Sequence, residues 1–163
     1  MESHQTLSIE LGKLLLEHQQ ILTTAESCTG GGVATVVTDI AGSSAWFDRA
    51  FVTYSNEAKM EMLNVQASSL ELHGAVSEAV AVEMVQGALS HANATIAVSI
   101  SGIAGPTGGS EEKPVGTVCF AFADKIGWQK VSTQYFMGDR AKVRSQAIEY
   151  ALKTLCEYLG ESS

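Results

Sequence analysis

Proline is nearly absent from these 163 residues: there are two, Pro106 and Pro114, and both fall in one glycine-rich segment. Positive charge is also scarce. Ten Lys and Arg face eighteen Asp and Glu, a net charge of −8, which argues against a nucleic-acid surface because neutralising phosphates takes a cluster of basic side chains. A small anion is still admissible where a pocket is locally positive. Cysteine occurs three times, at Cys28, Cys119 and Cys156. Their odd number and wide spacing fit neither a disulfide framework nor a CxxC metal knuckle, so free thiols and no bound metal are expected. No stretch of about eighteen apolar residues is present, which removes a membrane-spanning helix. Met1-Glu2-Ser3-His4-Gln5 offers no basic region ahead of an apolar run, and a cytoplasmic protein is the resulting expectation.

What remains is ample for one core. A chain of this length buries roughly 70% of its unfolded surface in a single domain, here taken as residues 1–163 with no internal repeat, linker or low-complexity tract. Leu7, Leu11, Leu14 and Leu15 lie on one helical face, and a strand is expected from Ile21 to Thr24. Residues 33–37 read as a buried helix, 46–54 as a second strand and 56–63 as a short helix. Ser77 suits the N-cap of a helix to about Ala92, in which Val80, Met84, Val85 and Leu89 recur at helical spacing. Strands follow at 95–100, 116–123 and 128–136, the last two joined by a tight connection at 124–127. A final helix opens at Asp139 with an apolar stripe of Val143, Ala147, Ile148, Ala151, Leu152, Leu155 and Leu159. Helices alternating with strands, plus one late hairpin, predict a three-layer α/β/α domain on a mixed, mostly parallel sheet.

Two glycine-rich segments concentrate the chemistry. Thr23-Thr24-Ala25-Glu26-Ser27-Cys28-Thr29-Gly30-Gly31-Gly32 puts a hydroxyl, a thiol and three glycines where a strand turns into a helix. Unpaired amides and the positive dipole end at a helix N-terminus hold a phosphate or an oxyanion. Ser27 is therefore either a nucleophile or the N-cap of that turn. Cys28 competes as nucleophile because a helix N-terminus lowers a thiol pKa; of two adjacent side chains, one should face a crevice and the other the core. The second segment, 101–114, follows another buried strand, and the two loops hold seven of the fifteen glycines. Ligands in open α/β sheets bind beyond the carboxyl ends of strands, so Gly30 and Gly31 on one loop and Gly105 on the other are expected at one crevice. By itself the second loop reads rather as a long crossover turn. Neither segment has Walker A or GxGxxG spacing, which disfavours ATP hydrolysis and NAD binding, and no cofactor is expected.

Several segments taken in order carry a resemblance. Thr24-Ala25-Glu26-Ser27-Cys28-Thr29-Gly30-Gly31, Tyr54-Ser55-Asn56-Glu57-Ala58-Lys59, Gly102-Ile103-Ala104-Gly105-Pro106 and Lys113-Pro114-Val115-Gly116-Thr117-Val118 are similar to the signature segments of the CinA C-terminal domain family. The resemblance spans nearly the whole chain. It implies the activity of the stand-alone members, which hydrolyse the carboxamide of nicotinamide mononucleotide to nicotinate mononucleotide and ammonia in pyridine-nucleotide recycling, with that small molecule as the partner. A serine amidase needs a base, donors for the oxyanion and an acid for the leaving nitrogen. None of His4, His18, His73 and His91 is placed as that base. The resemblance implies instead Ser27 as nucleophile with Tyr54 and Lys59 beside it, a Ser-Lys variant of nucleophilic catalysis. It also points to Ser101, where relatives often carry threonine. A lysine base must be neutral, which takes roughly 3 pK units, or ~4 kcal/mol, of lowering and hence a desolvated pocket. Tyr54 is expected to share or relay the proton, and backbone amides around Thr29 and Gly30, with Gly31 in the same turn, to bind the substrate's oxyanion.

Arg140 opens the last helix, where its charge opposes the helix dipole unless an anion sits between them. It is assigned to the substrate phosphate, with Arg144 one turn later as the alternative and a salt bridge to a carboxylate as the purely structural reading. Glu26 is left without a role. Self-association to a dimer is a family-level expectation. Two further readings stand beside the amidase: a nucleotide-binding regulatory module that cuts no amide, and a partner in DNA uptake or damage response, suggested by the family's competence/damage-inducible name and opposed by the acidic balance.

Overall fold

The computed structural model describes residues 3–161. In chain order the elements are α1 (His4–Glu17), β1 (Leu22–Glu26), α2 (Gly32–Thr38), a 3-10 turn (Ser43–Ala45), β2 (Phe47–Val52), α3 (Asn56–Leu63), α4 (Ala67–His73), α5 (Glu78–His91), β3 (Ile96–Gly102), β4 (Thr117–Asp124), β5 (Gln129–Tyr135) and α6 (Arg140–Glu161). Side-chain caps set several starts: Ser3, Ser55 and Ser77 accept from Thr6 N, Ala58 N and Val80 N, and Asp139 Oδ1 accepts from Lys142 N at 2.9 Å. Among the described residues no helix is long and apolar enough to cross a membrane.

The five strands form one sheet in the order β2-β1-β3-β4-β5. β1 pairs in parallel with β2 and β3, whereas β3 with β4 and β4 with β5 are antiparallel. Four strands therefore point one way and only β4 runs back, a mixed and mostly parallel sheet as expected. α1, α2 and α6 cover one face over a core of Leu11, Leu15, Val33, Phe120, Phe122, Leu152 and Leu155. α3 and α5 cover the other over Leu63, Val80, Met84, Val85 and Ala121, giving the three layers.

The expected boundaries hold to within two residues for the strands, and β1 runs on to Glu26, so Ser27 is the first residue beyond the sheet. Ser27 is not the N-cap of α2. Gly31 holds that position at φ 96°, a left-handed conformation open to glycine at little cost, with no side-chain cap bond. The 3-10 turn and α4 were not expected. α4 buries none of its residues and leaves Leu72 exposed, so it lacks the apolar stripe that marks a helix in sequence.

α3 carries Lys59, and its C-terminus rests on α5 at a glycine. A Cβ added at Gly87 would lie 2.0 Å from the carbonyl oxygen of Leu63. Gly87→Ala is accordingly expected to lower stability by about 1–3 kcal/mol, read as a lower urea midpoint. An unchanged midpoint would show that the two helices part freely.

Candidate active site

β1, β2, β3 and β5 all end on the same side of the sheet, and each hands its chain to a segment of the site. Ser27 follows β1, Tyr54 follows β2, the glycine-rich loop follows β3, and Arg140 opens the helix after β5. These segments enclose a cleft of about 230 Å³ lined by Ser27, Cys28, Tyr54, Gly102, Ile103, Ala104, Gly105, Thr107, Gly108 and Arg140. Its position beyond the carboxyl ends of parallel strands is the usual one for a ligand in an open α/β sheet.

Behind Ser27 stands Lys59. The side chain is 2% exposed, and its Nζ lies 3.1 Å from Ser27 Oγ and 3.0 Å from the carbonyl oxygen of Thr53. Burial holds the amine below its ordinary 10.5, because the charged form loses its hydration. No carboxylate of the described residues lies within ion-pair distance of it. Lys59 Nζ donates to both oxygens, so its polar neighbours are a neutral carbonyl and a neutral hydroxyl.

Cys28 reaches the cleft wall but is nearly all buried in the core, and burial pushes its thiol up to about 12, so at neutral pH it is a protonated thiol and a poor nucleophile. Of the two neighbours that the sequence left in competition, the hydroxyl has the Lys59 amine at 3.1 Å and the thiol is held in its protonated form by burial.

The mouth of the cleft is held by Arg140. Its Nη1 donates to Gly105 O at 2.8 Å and its Nη2 to the Tyr54 hydroxyl oxygen at 3.0 Å. Tyr54 is 60% exposed and is aimed at Arg140, which leaves its own proton to donate. Arg144, the alternative phosphate ligand, points elsewhere: its Nε and Nη2 donate to the carbonyls of Cys28 and Thr29, each at 3.2 Å. Neither arginine has a carboxylate within ion-pair distance among the described residues, so a protein of net charge −8 keeps an uncompensated guanidinium on its cleft.

Other expected site residues lie off the cleft. Thr29 is fully buried and donates its hydroxyl to Glu26 at 2.6 Å. The amide of Gly30 closes a turn onto Ser27 O at 2.9 Å, so it is not free to receive an oxyanion, and Gly31, the left-handed N-cap of α2, is not among the residues lining the cleft. Ser101 donates to Ala75 O at 2.8 Å and fastens β3 to the loop before α5. Sequence reasoning missed Thr53, which acts through its backbone and has no side-chain signature. It also left open Glu26, whose carboxyl group fills the helix N-terminus expected to bind an anion: Val33 N and Ala34 N donate to it at 2.9 and 3.0 Å. Among the described residues no group of three or more His, Cys, Asp or Glu is arranged to hold a metal ion.

The lowered Lys59 pKa fixes a sign. The unfolded chain holds the proton up to the ordinary 10.5, so between the folded and unfolded values it binds more protons and stability rises with pH. Wild type should gain on Lys59→Met across that window, by up to about 1.4 kcal/mol per pH unit, in urea unfolding at neutral pH and at pH 10. A pH-independent difference would mean that the amine is not desolvated.

The sequence matches the CinA C-terminal domain over residues 4–159. It is 62% identical over 149 residues, 91% of this chain and 90% of that protein, to nicotinamide-nucleotide amidohydrolase PncC of Escherichia coli K12. It is 49% identical to a putative competence-damage inducible protein of Symbiobacterium thermophilum, matching 95% of this chain but 38% of that longer one. Among solved structures, the competence damage-inducible protein A of Klebsiella pneumoniae superposes with a TM-score of 0.94 at 42% identity over 98% of both chains. A competence/damage inducible protein of Agrobacterium tumefaciens gives 0.93 at 40% identity over 98% of this chain and 97% of that one. Fold and sequence agree across nearly the full length, and the chain belongs to the CinA C-terminal domain family.

Proposed function

We propose that this chain is an amidase that hydrolyses the carboxamide of nicotinamide mononucleotide to the carboxylate and ammonia, with Ser27 as nucleophile and Lys59 as its base. The observation that carries this reading is a buried lysine amine 3.1 Å from a serine hydroxyl on a cleft, with an uncompensated arginine at its mouth. The E. coli relative named as a nicotinamide-nucleotide amidohydrolase, 62% identical, supplies the substrate class.

In the forward step the Lys59 lone pair takes the Ser27 proton while Oγ bonds to the amide carbon, giving a tetrahedral oxyanion. The carbon–nitrogen bond then breaks, and the nitrogen accepts a proton and leaves as ammonia. The Tyr54 hydroxyl, which accepts from Arg140 and so keeps its hydrogen for donation, is assigned to that transfer. The proton that Lys59 took passes through solvent to the Tyr54 oxygen, which leaves the amine neutral again. Water then attacks the Ser27 ester as Lys59 takes a proton from it, and when the ester bond breaks Lys59 returns that proton to Ser27 Oγ while the acid product loses its own to water as the carboxylate. Arg140 offers its guanidinium to the substrate phosphate, a charge-assisted contact that a planar fork makes well. Gly105 supplies the backbone that holds Arg140 in place before substrate arrives. The product, a nicotinate nucleotide, suits return to the pyridine-nucleotide pool.

Ammonia release from nicotinamide mononucleotide after chelation tests the reading. Ser27→Ala and Lys59→Ala should each lose at least about 10³-fold in kcat, Cys28→Ala should stay active, and Arg140→Ala should raise KM by about 10- to 100-fold. Folded wild type that binds the nucleotide without releasing ammonia would make the chain a regulatory binding module instead, and loss confined to Cys28→Ala would make the thiol the nucleophile.

A further inference from the structure

We infer that Glu26 is a positioning residue that sets the nucleophile, an inference that rests on Ser27 acting as nucleophile with Lys59 as its base. Glu26 ends β1, is fully buried, and sits beside Ser27 without facing the cleft. Its two carboxyl oxygens receive four donors, two each. Oε1 accepts from Thr29 Oγ1 at 2.6 Å and Val33 N at 2.9 Å; Oε2 accepts from Thr24 Oγ1 at 3.3 Å and Ala34 N at 3.0 Å. One side chain therefore ties the last strand residue to the middle of the nucleophile turn and to the first turn of α2.

The backbone of the same residue closes a second path. Glu26 O accepts from Thr53 N at 2.8 Å, Thr53 O accepts from Lys59 Nζ, and Lys59 Nζ meets Ser27 Oγ. Nucleophile and base are thus joined through covalent chain and three polar contacts in a closed ring that begins and ends at the Glu26–Ser27 peptide. Arg144 pins the opposite side of the turn through the Cys28 and Thr29 carbonyls. The turn has no slack between these holds.

Glutamine cannot replace Glu26 quietly. Each carboxyl oxygen faces one backbone N–H as well as one hydroxyl, and a hydroxyl can rotate to accept whereas a backbone amide cannot. Either orientation of a glutamine amide sets an NH2 against a fixed N–H. Relief requires the turn or the start of α2 to move, and a shift of about 1 Å at a nucleophile is worth on the order of 100-fold in rate. Thr29 offers a gentler probe, since Thr29→Val removes one donor without changing side-chain volume and Thr29→Ser retains it.

The experiment measures kcat and KM for nicotinamide mononucleotide with wild type, Ser27→Ala, Glu26→Gln, Thr29→Val and Thr29→Ser, each at a temperature where thermal melts show it folded. A positioning role predicts a kcat at least about 10-fold lower for Glu26→Gln with KM within about twofold, a smaller kcat loss for Thr29→Val, and recovery in Thr29→Ser. If Glu26→Gln and Thr29→Val keep wild-type kcat and only melt earlier, Glu26 is a structural cap and the inference falls. A Ser27→Ala enzyme of full activity would instead overturn the catalytic reading beneath it. Should Glu26→Gln not fold, the Thr29 pair decides by the same criterion.

Discussion

The proposed chemistry depends on keeping one amine out of water. A lysine on a short helix would ordinarily hold its charge in solvent, and its four-carbon stem would follow. Here the stem runs inward from α3, and the amine ends at a backbone carbonyl and a serine hydroxyl. With no carboxylate of the described residues within ion-pair distance, burial favours the neutral form. The cost is borne by the packing of α3 on α5, where Gly87 lets two backbones approach more closely than any side chain would permit. Gly87 thus lets the helix that carries Lys59 lie close on α5 at Leu63.

The second constraint is strand direction. A fully antiparallel sheet would scatter these loops to both ends. Because only β4 is reversed, the chain delivers a serine turn, an aromatic mouth, a glycine-rich wall and an arginine to one edge of the sheet. The single reversal brings β5 back into the common direction, which is what places α6 and Arg140 over the cleft.

Much of this was legible from residues. The stripes of α1 and α6 have period 3.6 and buried faces, so their elements were readable; α4 has no buried face and left no trace. Ser27 and Lys59 came from motif order, and their contact lies across thirty-two positions that spacing cannot bridge. The anion site expected at the N-terminus of α2 was misplaced for a physical reason: the amides are there, but the chain supplies its own carboxyl group to them. Glycines were read as ligand contacts where the backbone needed them for conformation, at Gly31, or for a turn, at Gly30. Arg144 shows the limit most plainly, since only the fold reveals that its partners are carbonyls and not a ligand.

The span of the chain gathered at the cleft bears on how the molecule comes into being. The carbonyls of Cys28 and Thr29 are held by Arg144 of the last helix, 116 and 115 positions later, and β1 pairs with β3 across α2 to α5. Contacts of such sequence separation are slow to form and are reached only after much chain is available. Ser27 therefore gains its surroundings only once α6 has docked on the turn that carries it.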